Sequence, residues 1–285
     1  MSSVLFDNPG PRTRARHRLY SVITAVVLLG LVGLVLWQFG RTGQLAYSLW
    51  EPFVTPAYIR ALLLDGLLKT LEMAFSAVIL AVIFGMVFGL GKLSDHVWVR
   101  WPCWVIVEFF RAVPVLLMMI FIFFAYGAGE GGIGSYWSVV IALTLYNGSV
   151  LAEVFRAGVL AVPRGQSEAA YALGMRKSQV MTSVLLPQAV KIMLPAIISQ
   201  CVVALKDTTL GYVILAPGLT EVGKAIFLQF QNHVQTAIVL AALFIVVNLL
   251  LSWVATWVQH RLVGEKKPLE VPMVGGQAGD SQAGV

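Results

Sequence analysis

Long uncharged apolar stretches constrain the fold of this chain more than any other feature of its sequence. Five of them are long enough to cross the ~30 Å hydrocarbon core of a bilayer as helices. A sixth has the right length but is interrupted by Lys206 and Asp207. Because 58% of the residues are hydrophobic and only 12% are charged, lipid must cover much of the surface. The sequence predicts an all-α, polytopic membrane protein with about six transmembrane helices, over residues 19–39, 73–91, 112–129, 131–152, 192–215 and 236–258.

The lysines and arginines lie mostly on one side of these spans. Of the 20 in the chain, 15 precede the first span, separate the second from the third, follow the fourth or follow the last. Cytoplasmic segments carry such an excess, so we expect a multi-pass protein of the cell (plasma or inner) membrane with both termini in the cytoplasm. This asymmetry also accounts for the net charge of +6, which therefore gives no reason to expect nucleic acid as a partner.

The sequence lacks the clusters of reactive groups that are typical of enzymes. No HExxH, GxSxG or helically spaced carboxylate pair occurs, so we expect no catalytic residue, no metal site and no cofactor on this chain. The stretch GLTEVGKA, 218–225, matches a phosphate-binding loop except that Ala225 replaces the hydroxyl residue that would hold magnesium. No predicted strand precedes it. Any ATP must be hydrolysed by another chain.

A polar segment, EAAYALGMRKSQVMTSVLLP, lies at 168–187 in this otherwise apolar chain. Pro163 suits the first turn of a helix, the residues 164–173 are compatible with one, and Gly174 can adopt the left-handed conformation that ends it. A second helix is predicted to run from there to Pro187. The segment is longer than a simple connection requires.

The first of these two helices has a surface suited to contact with another protein. Ala169, Ala170 and Ala172 give it a low profile, and Glu168 offers a charge. A solvated cytoplasmic loop that happens to be helical is the alternative. The pattern favours docking.

The spacing of this segment resembles the EAA loop of ATP-binding-cassette (ABC) importer permeases. The triplet EAA is followed after three residues by Gly174, then after nine by Val184, and then by Leu186 and Pro187. Over residues 66–262 the chain resembles the polar amino-acid permease subfamily, and it is most similar to glutamate permeases that work with a second permease chain. The stretches that carry this resemblance are GLLKTLEMAF (66–75), VEFFRAVPVLL (107–117), LYNGSVLAEVFRAGVLAVPRGQSEAA (145–170), LLPQAV (185–190) and LKDTTLGYVI (205–214).

The resemblance implies a type I importer permease fold and a division of labour with other chains. Residues 1–65 would form a cytoplasmic N-terminus, an additional transmembrane helix and an external connection; 66–262 the permease domain, with its EAA loop at 163–187; and 263–285 a disordered cytoplasmic tail. The expected partners are ATPase subunits that hold ATP and magnesium, a related but non-identical permease chain, an extracytoplasmic solute-binding protein, an amino-acid substrate such as glutamate, and membrane lipid. The implied ATPase-coupling residues are Glu168, Ala169, Ala170, Gly174, Leu186 and Pro187.

Two residues depart from the family pattern of this loop. Ser167 occupies a position that is often aromatic, and Arg176 stands where a serine that caps the second helix is common. We expect Ser178 to serve as the N-cap instead.

The charged step in the fifth span is a second candidate site. A charge at the centre of a span costs about 2.5–3.5 kcal/mol on insertion scales. Lys206 and Asp207, together with Asn147, are therefore candidates for the translocation pathway, the cation and the amide facing a carboxylate and Asp207 facing an ammonium group. Two alternatives remain open: hydration at the end of a span, or a structural ion pair between helices.

Two other classes of protein have similar composition. An ion-coupled secondary transporter is also polytopic, but it needs no EAA loop and is usually larger, with paired repeats. A membrane enzyme would require the reactive cluster that the sequence lacks. The sequence thus favours an ABC importer permease subunit over both.

Overall fold

The computed structural model describes the backbone of residues 11–263, and no strand occurs among them. Of the predicted disordered tail, 263–285, only residue 263 lies within this range. Short 3-10 turns cover Glu51–Phe53 and Thr208–Ile214, and π-helical stretches cover Ala61–Leu68, Phe123–Gly127 and Val180–Leu185. The α-helices are α1 (Pro11–Arg41), α2 (Tyr47–Trp50), α3 (Pro56–Arg60), α4 (Lys69–Gly91), α5 (Val97–Ala112), α6 (Val115–Ile122), α7 (Gly134–Leu160), α8 (Arg164–Ala172), α9 (Lys177–Gln179), α10 (Leu186–Asp207), α11 (Leu219–Phe230) and α12 (His233–Val263).

The predicted spans are present as helices. Among residues 11–263, five helical stretches are long and apolar enough to cross a membrane, and a bent pair, Val97–Ala112 with Val115–Gly127, provides a sixth. The two helices of this pair meet at 99°. The six predicted positions are confirmed, although several boundaries shift. The five stretches are Arg16–Arg41, Pro56–Gly91, Gly134–Leu160, Lys177–Ile214 and His233–Val258.

The helix is broken near the start of the third predicted span, 112–129. Ala112 is the last residue of α5, and Val113 is extended, with φ −81° and ψ 126°. Pro114 explains the break, because a proline ring disfavours the helical conformation of the residue before it. The helix α6 therefore starts at Val115, and the predicted span corresponds to the second half of the bent pair.

The second span begins earlier than predicted. Helical backbone continues from Pro56 to Gly91, a stretch of 36 residues. The sequence scan stopped short of this because it excluded the charged residues Asp65, Lys69 and Glu72. At 1.5 Å per residue the stretch is about 54 Å long. It is longer than the hydrocarbon core requires, so part of it lies beyond the core.

The chain divides into two compact units, of which the first contains residues up to 69 and 217–243. Side-chain amides tie its connections together. The fully buried Gln235 donates to the carbonyl oxygen of Gln44 (2.6 Å), and Asn232 donates to that of Leu49 (2.8 Å). These bonds fix the start of α12 against the segment that follows α1.

The second unit contains residues 70–216 and the chain from 244 onward, and α7 is its central helix. Helices α5, α6 and α10 all pack against α7. Buried apolar side chains form two clusters along it. The first, around Leu143, joins α7 to α4 and α6, and the second, around Leu151, joins it to α4 and α10.

Helices α4 and α7 approach each other closely at two glycines. A Cβ atom at Gly85 would lie 2.7 Å from the Cβ of Leu151, and one at Gly89 would lie 2.7 Å from the carbonyl oxygen of Ala152. Two glycines four residues apart let helix backbones pack closely in a membrane, where van der Waals contact drives association. No larger side chain fits at either position unless α7 moves.

Candidate functional site

The polar segment 163–187 begins with a helix that ends in a tight turn. The backbone N–H of Gly174 donates to the carbonyl oxygen of Tyr171 (2.9 Å), and that of Met175 donates to the carbonyl oxygen of Ala170 (3.2 Å). These two bonds form a Schellman motif around Gly174, whose φ is +77°. The predicted end of the first helix at Gly174 is confirmed.

The faces of α8 differ in exposure. Ala170 is only 4% exposed, and α8 packs on this side against the π-helical stretch Val180–Leu185. Glu168 and Ala169 are exposed, and Leu173, at the tip, is 83% exposed. The exposed Leu173, Ala169 and Glu168 together form a small, partly apolar surface that suits contact with another protein. The fold therefore buries one side of the helix and leaves the other free.

The second helix begins at Lys177, and the expectation that Ser178 caps it is wrong. Ser178 lies inside the first turn. The side-chain oxygen of Gln179 accepts a hydrogen bond from the backbone N–H of Arg176 (2.9 Å). A glutamine at this position satisfies an N–H group that the start of the helix leaves unpaired. This bond explains why Arg176 is tolerated at the cap.

Pro187 does not end the second helix, contrary to the prediction. Helical backbone runs from Lys177 through the π-helical stretch into α10 and ends at Asp207. Proline lacks the N–H of an α-helical bond, but Pro187 follows Leu186 at the start of α10, where the chain leaves π-helical bonding. The polar segment and the fifth span thus share one helical stretch about 46 Å long.

An apolar cluster attaches the polar segment to the transmembrane helices. Val162, just before α8, is buried in the same cluster as Phe155 of α7 and as Ala189 and Met193 of α10. Close packing of this kind transmits displacement rather than absorbing it. The chain just before α8 is therefore packed against both α7 and α10.

An ion pair connects the polar segment to the turn between α4 and α5. Lys177 donates to the carboxylate of Asp95. This hydrogen bond, with the charge of Lys177, holds the pKa of the Asp95 carboxyl below its ordinary value of 3.8. A depressed carboxyl pKa means that the pair is formed at neutral pH and is lost only as the pH falls below that ordinary value. Both side chains are exposed, so solvent screens the attraction.

Asn147 lies on the buried side of α7, where it is 1% exposed. The side-chain amide of Gln200, on α10, donates to Asn147 Oδ1. Asn147 Nδ2 is buried and has no hydrogen-bond partner among the residues that the structure describes. A buried donor without a partner costs about 1–3 kcal/mol. The hydrogen bond between Gln200 and Asn147 joins α10 to α7.

Lys206 and Asp207 form the last turn of α10. Lys206 is exposed and Asp207 is half-buried. Within 11–263 neither residue forms a salt bridge, so the structural ion pair considered above is not found there. Lys206 follows Gln200 by six residues, or about 9 Å along the helix. The structure accordingly does not bring Asn147 into contact with either charged residue.

The stretch that resembles a phosphate-binding loop is helical. Gly218 precedes α11, and the residues from Leu219 onward are in its first turns. Gly223 faces the side chain of Leu240, which a Cβ at that glycine would approach to 2.5 Å. A 3-10 turn, and not a strand, precedes the glycine. This geometry offers no loop that wraps a phosphate.

Sequence reasoning missed two residues that the structure brings forward. Gln200 is a polar residue in an apolar stretch, and such an isolated polar residue could have indicated a polar contact inside the helix bundle. Leu173 lies at the exposed tip of α8. Its position directly before the helix-ending Gly174 could have indicated this.

Comparison with known families decides the class of the protein. Residues 77–264 match the family described as the binding-protein-dependent transport system inner membrane component. The chain belongs to this family. It is a multi-pass permease subunit of the inner membrane and not an enzyme, and ATP hydrolysis belongs to a separate subunit. Family membership also decides against the ion-coupled secondary transporter.

Individual relatives of the permease cover most of its length. The glutamate transport system permease protein GluD of Corynebacterium glutamicum is 43% identical over 223 residues, which are 77% of this chain and 82% of GluD. The arginine transport system permease protein ArtQ of Bacillus subtilis is 30% identical, over 70% of this chain and 92% of ArtQ.

Solved structures support the fold of the permease. A chain from a crystal structure of an amino acid ABC transporter with histidines has a TM-score of 0.66 and 30% identity, and covers 72% of this chain and 96% of that one. A chain of the MetNI methionine ABC transporter in an inward-facing conformation has a TM-score of 0.62 at 19% identity, over 73% and 99%. The second likeness concerns the fold alone. The type I importer permease fold expected from the sequence is confirmed.

Proposed function

We propose that this permease serves an amino-acid importer, and that glutamate is its substrate. The observation that carries the proposal is the continuous helical stretch from Lys177 to Asp207, which follows the exposed helix α8 after one turn and carries Gln200, the hydrogen-bond partner of Asn147. The named substrate of GluD supports glutamate. The partners in this proposal are two ATPase subunits, a second permease chain and an extracytoplasmic solute-binding protein. ATP and magnesium are bound on the ATPase subunits.

The mechanism follows from how the docking segment is attached. Glu168, Ala169 and Leu173 contact a cleft of the ATPase, while Ala170 holds α8 against the second helix. When the nucleotide subunits close, α8 is displaced, and the shared apolar cluster passes the movement to α7 and α10. Packed helices have discrete arrangements, so the response is a rigid-body change of access rather than a gradual deformation. Leu186 and Pro187 lie where this movement enters α10.

The pathway residues match the charges of glutamate. An amino acid carries a carboxylate and an ammonium group, and glutamate carries a second carboxylate. Lys206 and Nδ2 of Asn147, the atom of that amide without a partner, supply donors for the carboxylates, and Asp207 supplies an acceptor for the ammonium group. Lys206 lies about 9 Å further along α10 than Gln200, the partner of Asn147. The substrate therefore contacts the Lys206–Asp207 pair and Asn147 one after the other as it moves along α10.

We expect Lys206→Met to raise the KM for glutamate uptake by about tenfold, because it removes one charge-assisted hydrogen bond. Asp207→Asn and Asn147→Ala should impair uptake by similar factors. The measurement is uptake of labelled glutamate by the reconstituted transporter, with glutamine and arginine as competitors. Lys191→Met, the same change at an exposed lysine of α10, is the matched control.

Two results of this series would contradict the pathway assignment. If all variants assemble and transport glutamate normally, none of the three residues belongs to the pathway. If the double variant Lys206→Met/Asp207→Asn restores the uptake that each single change impairs, the two charges form a structural pair in the assembled transporter. Preferential uptake of arginine would exclude glutamate as the substrate.

We also propose that both termini are cytoplasmic. The distribution of 15 of the 20 cations on one side supports this orientation. A reporter that is active only outside the cytoplasm should be silent when fused at His260 and active when fused at Gly43. Activity at His260 would show that the last helix runs in the opposite direction.

A further inference from the structure

A polar cavity of about 450 Å³ opens where α5 crosses the ends of α4 and α7. Its lining contains three cations and two carboxylates, and so carries one net positive charge: Lys92, Arg100, Arg156, Glu108 and Glu153. The indoles of Trp101 and Trp104 complete the wall. The cavity lies within the second unit and is separate from Asn147, Gln200 and the docking segment.

The two carboxylates of the cavity are already neutralised. Lys92, whose side chain is 5% exposed, donates to Glu153 and to Glu108 (3.3 Å). Arg156 donates to Glu153 through Nε (2.9 Å), and Arg111, outside the cavity, donates to Glu108 (3.2 Å). The acidic side chains therefore have cationic partners, which weakens their repulsion of an anion that enters the cavity.

Unused donors remain on two guanidinium groups. Arg100 is exposed and forms no salt bridge within the described part of the chain. Arg156 uses only Nε, so its terminal nitrogens are free of ion-pair contacts to those residues. A guanidinium presents a planar fork that matches the oxygens of a phosphate. The donors left in the cavity suit a phosphate group.

An apolar cavity of about 320 Å³ adjoins the polar one. It is lined by Val97, Trp98, Trp101 and Pro102, so Val97 and Trp101 belong to both walls. Trp98 is 89% exposed and Trp101 is 64% exposed. Indoles favour the boundary between headgroups and acyl chains, because the ring is apolar and its N–H is polar. The two cavities together offer a cationic compartment next to an apolar one at that boundary.

We propose that this bipartite site binds one anionic phospholipid. Its phosphate lies between Arg100 and Arg156, its polar headgroup meets the indole N–H groups of Trp101 and Trp104, and one acyl chain runs past Trp98 and Pro102. Basic pockets between transmembrane helices bind anionic headgroups in this way. The bound lipid fastens α5 to α7 and is independent of which amino acid is transported.

Native mass spectrometry of the assembled transporter tests this site, with phosphatidylglycerol and phosphatidylcholine added in turn as probes. The wild-type complex should retain phosphatidylglycerol in preference to phosphatidylcholine. In Arg100→Gln/Trp101→Ala the apparent affinity for phosphatidylglycerol should fall by about tenfold or more, because a charge-assisted hydrogen bond and an apolar contact are lost. Excess inorganic phosphate should not displace the lipid, since phosphate has no acyl chain.

Two further variants make the result decisive. Arg100→Lys/Trp101→Phe keeps a charge and an aromatic ring but removes the guanidinium fork and the indole N–H, so its affinity for phosphatidylglycerol should lie between those of the wild type and Arg100→Gln/Trp101→Ala. Arg261→Gln/Trp257→Ala removes an arginine that is stacked on a tryptophan in α12, away from the cavity, and should leave the retained phosphatidylglycerol unchanged. Equal retention in Arg100→Gln/Trp101→Ala and the wild type would overturn the proposal. Displacement by inorganic phosphate, or equal binding of phosphatidylcholine, would also overturn it.

Discussion

Transporters with Gly174→Asp or Glu168→Lys should lose almost all uptake while the chain still inserts in the membrane. Gly174 has a φ of +77° in the Schellman turn, and a side chain in this region costs about 1–2 kcal/mol and moves the tip of α8. Glu168→Lys reverses the charge on the exposed face. Both changes leave Ala170 and the apolar cluster intact, so their effect should fall on the ATPase contact. Uptake and ATPase activity of the reconstituted complex measure it.

Gly165→Asp is the matched control for the turn variant. Gly165 also lies in α8, but no atom lies within 4 Å of a Cβ at this position and its φ is not positive. It should retain most of the transport. Loss of uptake with an intact complex would indicate uncoupling, and loss of the ATPase from the complex would indicate failed docking. Wild-type uptake in both Gly174→Asp and Glu168→Lys would contradict the docking role.

Gly89→Leu should prevent assembly of the permease. Even a Cβ at this position would lie 2.7 Å from the carbonyl oxygen of Ala152 and 2.9 Å from the Cβ of Phe155, so the whole leucine side chain forces α4 and α7 apart. Overpacking of a core usually costs about 1–3 kcal/mol, and contact with backbone places this case at the upper end or beyond. The yield of monodisperse complex and its thermal midpoint are the measurements.

Gly33→Leu provides the comparison for that variant. Gly33 lies in α1, and no atom lies within 4 Å of a Cβ there. The same substitution should therefore leave yield and thermal midpoint close to those of the wild type. If Gly89→Leu assembles as well as Gly33→Leu, the close approach of α4 and α7 is not required in the protein.

The positions of the spans were predictable because hydropathy is a local property. Each apolar stretch must be covered by lipid or by another helix, whatever its neighbours are. The end of α8 was predictable for a similar reason, since Gly174 favours a left-handed conformation by its own chemistry. The early start of the second spanning helix was missed because the sequence prediction ended the helix at charged residues. A helix can extend beyond its membrane-embedded part and carry charges there, as this one does at Asp65, Lys69 and Glu72.

The features that were missed depend on contacts between distant residues. The rule that proline ends a helix failed at Pro187 because the preceding turns are π-helical. The local sequence does not predict those π-helical turns. Gln200 and Asn147 are 53 residues apart in the chain, and only the packing of α10 on α7 brings them together. Gly85 and Gly89 likewise become contact points only when α7 is known to be their neighbour.

A cross-link between the docking segment and the ATPase is the most direct measurement of how this permease is driven. With Cys103 and Cys201 replaced by alanine, Ala169→Cys should cross-link to a cysteine in the cleft of the ATPase through a short reagent. The yield should change when ATP is added, because closure of the nucleotide subunits displaces α8. Thr42→Cys, an exposed position just beyond α1, serves as the control and should not cross-link. Absence of any cross-link from Ala169→Cys in an inserted, transporting complex would contradict the assignment of 163–187 as the coupling element.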